Sequence, residues 1–147
     1  MRILILILLV NFWALNGQPE DHSLWTSVLQ TYVSENGTVD YKGLQNNKSV
    51  LQSYLKILSA NAPNNKWSID AKKAYWINTY NAFTIQLILE NYPLNSIKDL
   101  RRPWDQSFIK IDGRKIALNT IEHEILRPMG DPRIHFAIVC ASKSCPK

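Results

Sequence analysis

The chain has 147 residues, with 17 lysines and arginines against 12 aspartates and glutamates, which gives a formal net charge of +5 at pH 7. A chain of this length is enough for one domain with one hydrophobic core. The basic residues are scattered and form no stripe, so the charge pattern typical of nucleic-acid binding is excluded, and the sequence indicates no other partner and no cofactor.

The N-terminal residues have the three parts of a signal peptide. Arg2 precedes an apolar run from Ile3 to Val10, which is too short to cross a bilayer, and small and polar residues follow up to Gly17. We expect residues 1–17 to be a signal peptide and residues 18–147 to form a single domain. The protein is then secreted or periplasmic, and no stable membrane span remains after cleavage.

Two amphipathic helices are predicted in the next part of the chain. Apolar residues recur at helical spacing from Ser23 to Val33, and Asn36-Gly37 ends this pattern. Residues 38–41 are predicted to form a short extended piece. A second helix is predicted from about Ser49 to Leu58, with its apolar residues on one side.

The third predicted helix, from about Ile69 to Asn91, carries apolar residues on nearly every face. It is therefore expected to be almost surrounded by protein, with a narrow polar stripe that includes Thr79. Asn78 and Asn81 fall inside the apolar arc, and a buried amide that is left unpaired costs about 1–3 kcal/mol. Both amides are expected to be hydrogen-bonded, to the backbone or to a site.

The rest of the chain is predicted to form a β-hairpin, a helix and a strand. Two runs of strand-forming residues flank Asp112-Gly113, a pair that tolerates the positive φ angles of a two-residue turn. Asn119 and Glu122 have the spacing of a capping box, which opens a helix. The run from Arg133 to Cys140 is apolar on both faces, which is typical of an interior strand.

The order of these elements indicates an α+β fold, a mostly helical single domain with a β-hairpin and one interior strand. An interior strand needs neighbours on both edges, and this one is followed by only seven residues. We therefore expect the domain to be incomplete at its C-terminus and to be completed by further sequence or by another chain.

Several blocks of residues along the chain form a recognisable pattern. They are Val39-Asp40-Tyr41, residues 74–82, Tyr92-Pro93, Ile121-Glu122-His123, Ile125-Leu126-Arg127, residues 131–137, residues 139–142 and Ser144-Cys145-Pro146. From about Leu24 to its last residue, the chain resembles the domain of unknown function 547. The resemblance implies an exported or multidomain context, a mostly helical α+β domain and further helical sequence after Cys-Pro. It implies no assigned reaction.

One hypothesis for the motif residues is a cysteine-dependent hydrolase or acyltransferase. Cys145 lies beside a lysine in a predicted loop, where exposure and positive charge favour a thiolate. His135 or His123 would take its proton, and Glu122 or an asparagine would orient the imidazole. Both histidines precede both cysteines, whereas papain-like enzymes have the cysteine first, so the order would have to be permuted.

A metal-binding domain is a second alternative. Glu122, His123, His135 and a cysteine are residue types that bind zinc. Their spacing matches none of the usual ligand pairs, so no metal ligand set is predicted.

A third hypothesis is a non-catalytic binding or assembly module of unestablished activity, in which a buried polar network fixes the fold. The network would consist of Asn78, Asn81, Glu122 and His135. An exported protein meets oxidising conditions, so a disulfide between Cys140 and Cys145 fits this interpretation.

These hypotheses share a prediction about geometry. If the motif residues make one site, Asn78 or Asn81, Glu122, His135 and the segment from Cys140 to Cys145 converge, and His135 lies within hydrogen-bonding or one-water reach of Glu122 or an asparagine. The Cys145 sulfur is then expected to open toward the same cleft.

Overall fold

The computed structural model describes residues 21–141, so the predicted signal peptide and Cys145 lie outside the described residues. The α+β class is confirmed, because the described chain is mostly helical with one antiparallel hairpin. The α-helices are α1 (Ser23–Tyr32), α2 (Tyr41–Asn46), α3 (Ser49–Ala60), α4 (Ile69–Glu90) and α5 (Ile134–Ala137). The strands are β1 (Ile109–Ile111) and β2 (Arg114–Ile116), a π-helix spans Thr120–Leu126, and short 3-10 turns span Ile97–Asp99, Pro103–Asp105 and Arg127–Met129.

The two amphipathic helices form as predicted, as α1 and α3, and the extended piece between them pairs through an isolated bridge from Val33 to Val39. Helix α2 follows this piece directly and was not predicted. It begins because the Asp40 side chain accepts a hydrogen bond from the Gly43 N–H at 2.9 Å. A Cβ at Gly43 would fall on the Asp40 carboxylate, so glycine leaves room for this cap.

Helix α4 is the centre of the fold, as its apolar faces predict. From Thr79 to Leu89, every residue except Asn81 and Gln86 is buried. Thr79 is not part of a polar stripe: it is fully buried, and its hydroxyl donates to the Tyr75 carbonyl at 2.7 Å. The Tyr75 hydroxyl donates in turn to the Leu58 carbonyl of α3 at 2.6 Å, which links the two longest helices.

The β-hairpin has the predicted turn. Asp112 and Gly113 have φ angles of 48° and 75°, and the strands pair with Ile109 opposite Ile116. Ile109 and Ile111 are buried in the core, while Lys110 between them is exposed.

The predicted interior strand from Arg133 to Cys140 is wrong. This segment forms the short helix α5 and then an extended piece, and the hairpin is the only sheet in residues 21–141. Ile134 and Ile138 are both buried, a spacing of four that suits one helical turn, whereas Phe136 is 72% exposed. Without a neighbouring strand to pair with, the apolar alternation does not specify a strand.

The predicted capping box is also wrong. Asn119 already has helical angles, and its side-chain amide donates to Asp105 at 2.6 Å instead of capping the next turn. Glu122 forms an ion pair with Arg127. The helix that follows Asn119 is a π-helix, which is rare in proteins and frequent at functional sites.

Within the described residues, no helix is both long and apolar enough to cross a membrane.

Candidate functional site

The Asn81 side chain joins α4 to the segment from Ala137 to Val139 through two hydrogen bonds. Its side-chain N–H donates to the Ala137 carbonyl at 2.9 Å, and its side-chain oxygen accepts from the Val139 N–H at 2.8 Å. The amide thus pairs with the extended segment as a neighbouring strand would. Farther along, the Trp104 ring N–H donates to the Cys140 carbonyl at 3.3 Å. The prediction of a hydrogen-bonded amide is confirmed for Asn81.

Asn78 lies one turn before Asn81 on α4 and is half-buried. Its side chain makes no hydrogen bond with any residue from 21 to 141. The prediction of a paired amide is therefore not met at this position, where partial exposure lets water solvate the group.

Glu122 is the half-buried carboxylate of the π-helix, and its side chain is 15% exposed. Arg127 donates to its Oε1 atom from Nη2 at 2.8 Å and from Nε at 3.3 Å. The exposed His123 ring lies 3.9 Å from the same oxygen. The other oxygen, Oε2, accepts no hydrogen bond within the described part of the chain.

Tyr80 of α4 lies close to this carboxylate. Burial raises the pKa of its hydroxyl well above the usual range, and the negative charge of Glu122 raises it further. The Tyr80 hydroxyl is therefore protonated at any physiological pH.

Asp131 is the centre of a second group of ion pairs, with Lys73 and Arg133. Lys73 of α4 donates to it at 3.1 Å, and the Arg133 guanidinium donates to both of its oxygens, at 2.9 and 2.8 Å. The hydrogen bonds from Arg133 and Lys73 hold the pKa of the Asp131 carboxyl well below its usual range. These contacts tie the loop before α5 to the first half of α4.

The two carboxylates border one cavity of about 280 Å³, which we call the Glu122 cavity. It is lined by Glu122, Arg127, Gly130, Asp131, Pro132, Ile134, His135 and Ile138. Glu122 and His135 therefore share a cavity, but Asn78, Asn81 and Cys140 do not line it, so among residues 21–141 the predicted common site forms only in part. Moreover, His135 makes no hydrogen bond to Glu122 or to an asparagine in residues 21–141, and its exposed ring contacts Phe136 instead, with centroids 5.7 Å apart.

The cysteine chemistry stays a prediction. Cys140 follows the segment held by Asn81, and Cys145 lies outside the described residues, so neither the nucleophile nor the disulfide is tested. In residues 21–141, no group of three histidine, cysteine or acidic side chains is arranged to hold a metal ion.

Sequence reasoning missed Arg127, Tyr80, Lys73 and Asp131 as parts of this region. A glutamate and an arginine five positions apart do not face each other on an α-helix. On a π-helix, whose hydrogen bonds join residues five apart, they do. The only signals in the sequence were the positions of Tyr80, Arg127 and Asp131 within the motif blocks, whereas Lys73 lies just outside them.

The comparisons with known proteins identify a family and nothing finer. A family model described as "Protein of unknown function, DUF547" matches residues 64–147, a region that contains every side chain lining the Glu122 cavity. No curated protein and no solved structure matches the chain. Because the family match covers more than half of the chain, the protein belongs to the DUF547 family.

Proposed function

We propose that the protein is a non-catalytic binding or assembly module whose ligand occupies the Glu122 cavity. The observation that supports this most strongly is that ion pairs hold both carboxylates of the cavity in place. Arg127 holds Glu122, and Lys73 and Arg133 hold Asp131. Because these side chains are already ordered, they lose little conformational entropy when a ligand binds.

Two polar atoms of the cavity wall make no hydrogen bond within residues 21–141, and they indicate which chemical groups a ligand needs. Glu122 Oε2 is an acceptor without a donor in the described chain, and Arg127 Nη1 is a donor without an acceptor there. Ile134 and Ile138 supply an apolar wall. A small polar ligand with a donor and an acceptor close together fits this arrangement, because it satisfies both charged groups at once.

In residues 21–141, His135 and Asn81 are not arranged as a general base with its orienting group. A general base must be within hydrogen-bonding or one-water reach of the proton that it removes and is usually oriented by a third group. No residue from 21 to 141 orients the His135 ring through a hydrogen bond, and Asn81 uses both ends of its amide on the backbone. This favours a structural role for Asn81.

Glu122→Gln is expected to weaken ligand binding by about tenfold, because a neutral amide is a poorer acceptor at this position. The test is titration of isotope-labelled protein with glucose, glycine and acetate, followed by amide chemical shifts of the cavity residues. Glucose or glycine, which carry donors and acceptors, should shift these amides and remain chemically unchanged. Acetate at neutral pH has no donor and should not.

Glu124→Gln is the matched control, because Glu124 is exposed on the same π-helix and does not line the cavity. It should bind as the wild type does. If none of the three probes shifts the cavity amides, or if both variants weaken binding equally, the Glu122 cavity is not the binding site.

Export is part of the same proposal and rests on the sequence of residues 1–17. When the full-length gene is expressed in an exporting host, the mature protein should begin near residue 18. N-terminal sequencing of the exported protein checks this, and a chain that still begins at Met1 would contradict it.

A cysteine-dependent hydrolase or acyltransferase is the second candidate function. It is favoured by one observation, that Glu122 and His135 line the same cavity. It needs a reactive Cys145 thiol, whereas the binding module is compatible with a Cys140–Cys145 disulfide. The redox state of the cysteines therefore separates the two functions.

A further inference from the structure

A second cleft lies between α3 and the β-hairpin, and it shares no lining residue with the Glu122 cavity. Its volume is about 350 Å³, and it is lined by Leu55, Lys56, Ser59, Ala60, Lys110 and Gly113. The backbone N–H of Asp112 donates to the Ser59 carbonyl at 3.1 Å, which fixes the turn of the hairpin against the end of α3. The two sides of the cleft are therefore held at a set distance.

This cleft is lined by hydrogen-bond donors that have no partner in the described part of the chain. Lys56 and Lys110 form no ion pair with any described residue. The Ser59 hydroxyl and the Gly113 N–H likewise donate to no acceptor in residues 21–141. The Ser59 carbonyl already accepts the Asp112 N–H. The cleft thus offers two positive charges and two neutral donors.

The register of the hairpin adds a third positive charge. Lys110 lies directly opposite Lys115, so both side chains are on the same face of the sheet. Like charges in this position destabilise a sheet. Asp112 is exposed in the turn, yet it forms no ion pair with either lysine. An anion bound beside Lys110 would remove this repulsion.

We propose that this cleft binds a multivalent oxyanion of the phosphate class. Lys56 and Lys110 would neutralise its charge, and the Ser59 hydroxyl and Gly113 N–H would donate to its oxygens. Gly113 suits this role, because glycine adopts its φ of 75° without strain and no side chain stands between its backbone and a ligand. The proposal concerns a separate site and does not depend on the ligand of the Glu122 cavity.

The test is titration of isotope-labelled wild-type protein with pyrophosphate, followed by amide shifts. The amides of Ser59 and Gly113 are expected to shift and to saturate. A variant with Lys56→Gln and Lys110→Gln should bind about tenfold more weakly or worse, because it loses two charge-assisted hydrogen bonds. A variant with Lys42→Gln and Lys98→Gln has the same net charge, changes exposed lysines outside the cleft, and should retain the affinity.

Phosphatidylcholine vesicles with and without phosphatidic acid distinguish a lipid phosphate from a soluble one. Vesicle binding that needs phosphatidic acid and is lost in the Lys56 and Lys110 variant supports the site with a lipid source, and pyrophosphate binding alone supports it with a soluble source. The proposal is overturned if neither probe binds, if the Ser59 and Gly113 amides do not move, or if both double variants lose affinity equally.

Discussion

Replacing Ile121 with alanine should lower the free energy of unfolding by about 2–5 kcal/mol, because the change leaves a cavity in a packed core. Ile121 is fully buried on the π-helix, beside Glu122, and belongs to the same hydrophobic cluster as Tyr80 and Leu126. The π-helix packs against α4. Ile121 therefore anchors the wall of the Glu122 cavity to the central helix.

Urea unfolding of Ile121→Ala and Ile125→Ala measures this effect. Ile125 is on the same π-helix but only partly buried, so its truncation should cost clearly less. Equal costs for the two variants would mean that the π-helix does not pack on α4 through Ile121.

Replacing Asn81 with leucine should destabilise the fold by about 1–3 kcal/mol, although it adds apolar bulk to an apolar helix. The change removes the hydrogen bonds to the Ala137 carbonyl and the Val139 N–H. Leucine offers neither a donor nor an acceptor in return, so both backbone groups lose their partner. The segment from Ala137 to Val139 should then separate from α4.

Asn78→Leu is the matched control, since it makes the same substitution one turn earlier, where no hydrogen bond to a described residue is lost. It should change the stability by less than about 0.5 kcal/mol. Thermal unfolding of both variants checks this, with amide exchange at Val139 as a local readout. A melting temperature of Asn81→Leu equal to or above that of Asn78→Leu would contradict the role of the Asn81 amide.

The parts of the fold that depend on local pattern could be predicted from the sequence. The burial of α4 follows from apolar residues on nearly every face. The hairpin follows from Asp112-Gly113, because few residue pairs adopt two successive positive φ angles. The pairing of Asn81 agrees with the cost of an unpaired amide, but the same argument failed at Asn78, which makes no hydrogen bond within residues 21–141.

The elements that were predicted wrongly depend on contacts between residues that are far apart in the sequence. The run from Arg133 to Cys140 fits a strand, but Ile134 and Ile138 fit one helical turn equally well, and within residues 21–141 no strand lies beside it to favour the extended form. Asn119 is a residue type that often caps helices, but its side-chain amide donates a hydrogen bond to Asp105 instead.

The site was predicted in part for the same reason. Glu122 and His135 share a cavity, but neither asparagine that was expected to join them lines it. Their partners were not foreseen, because a periodicity of 100° per residue does not describe a π-helix. At 100° per residue, Arg127 would lie on a different face from Glu122.

The choice between a binding module and a thiol enzyme can be made before any ligand is known, by titrating the thiols of the folded, unreduced, exported protein. The binding module is compatible with a Cys140–Cys145 disulfide, whereas the enzyme requires a Cys145 thiolate. We predict that neither cysteine reacts with a thiol reagent until the protein is reduced, and that both react afterwards. A single fast-reacting thiol in the unreduced protein, lost in Cys145→Ser, would contradict the binding module and favour the enzyme.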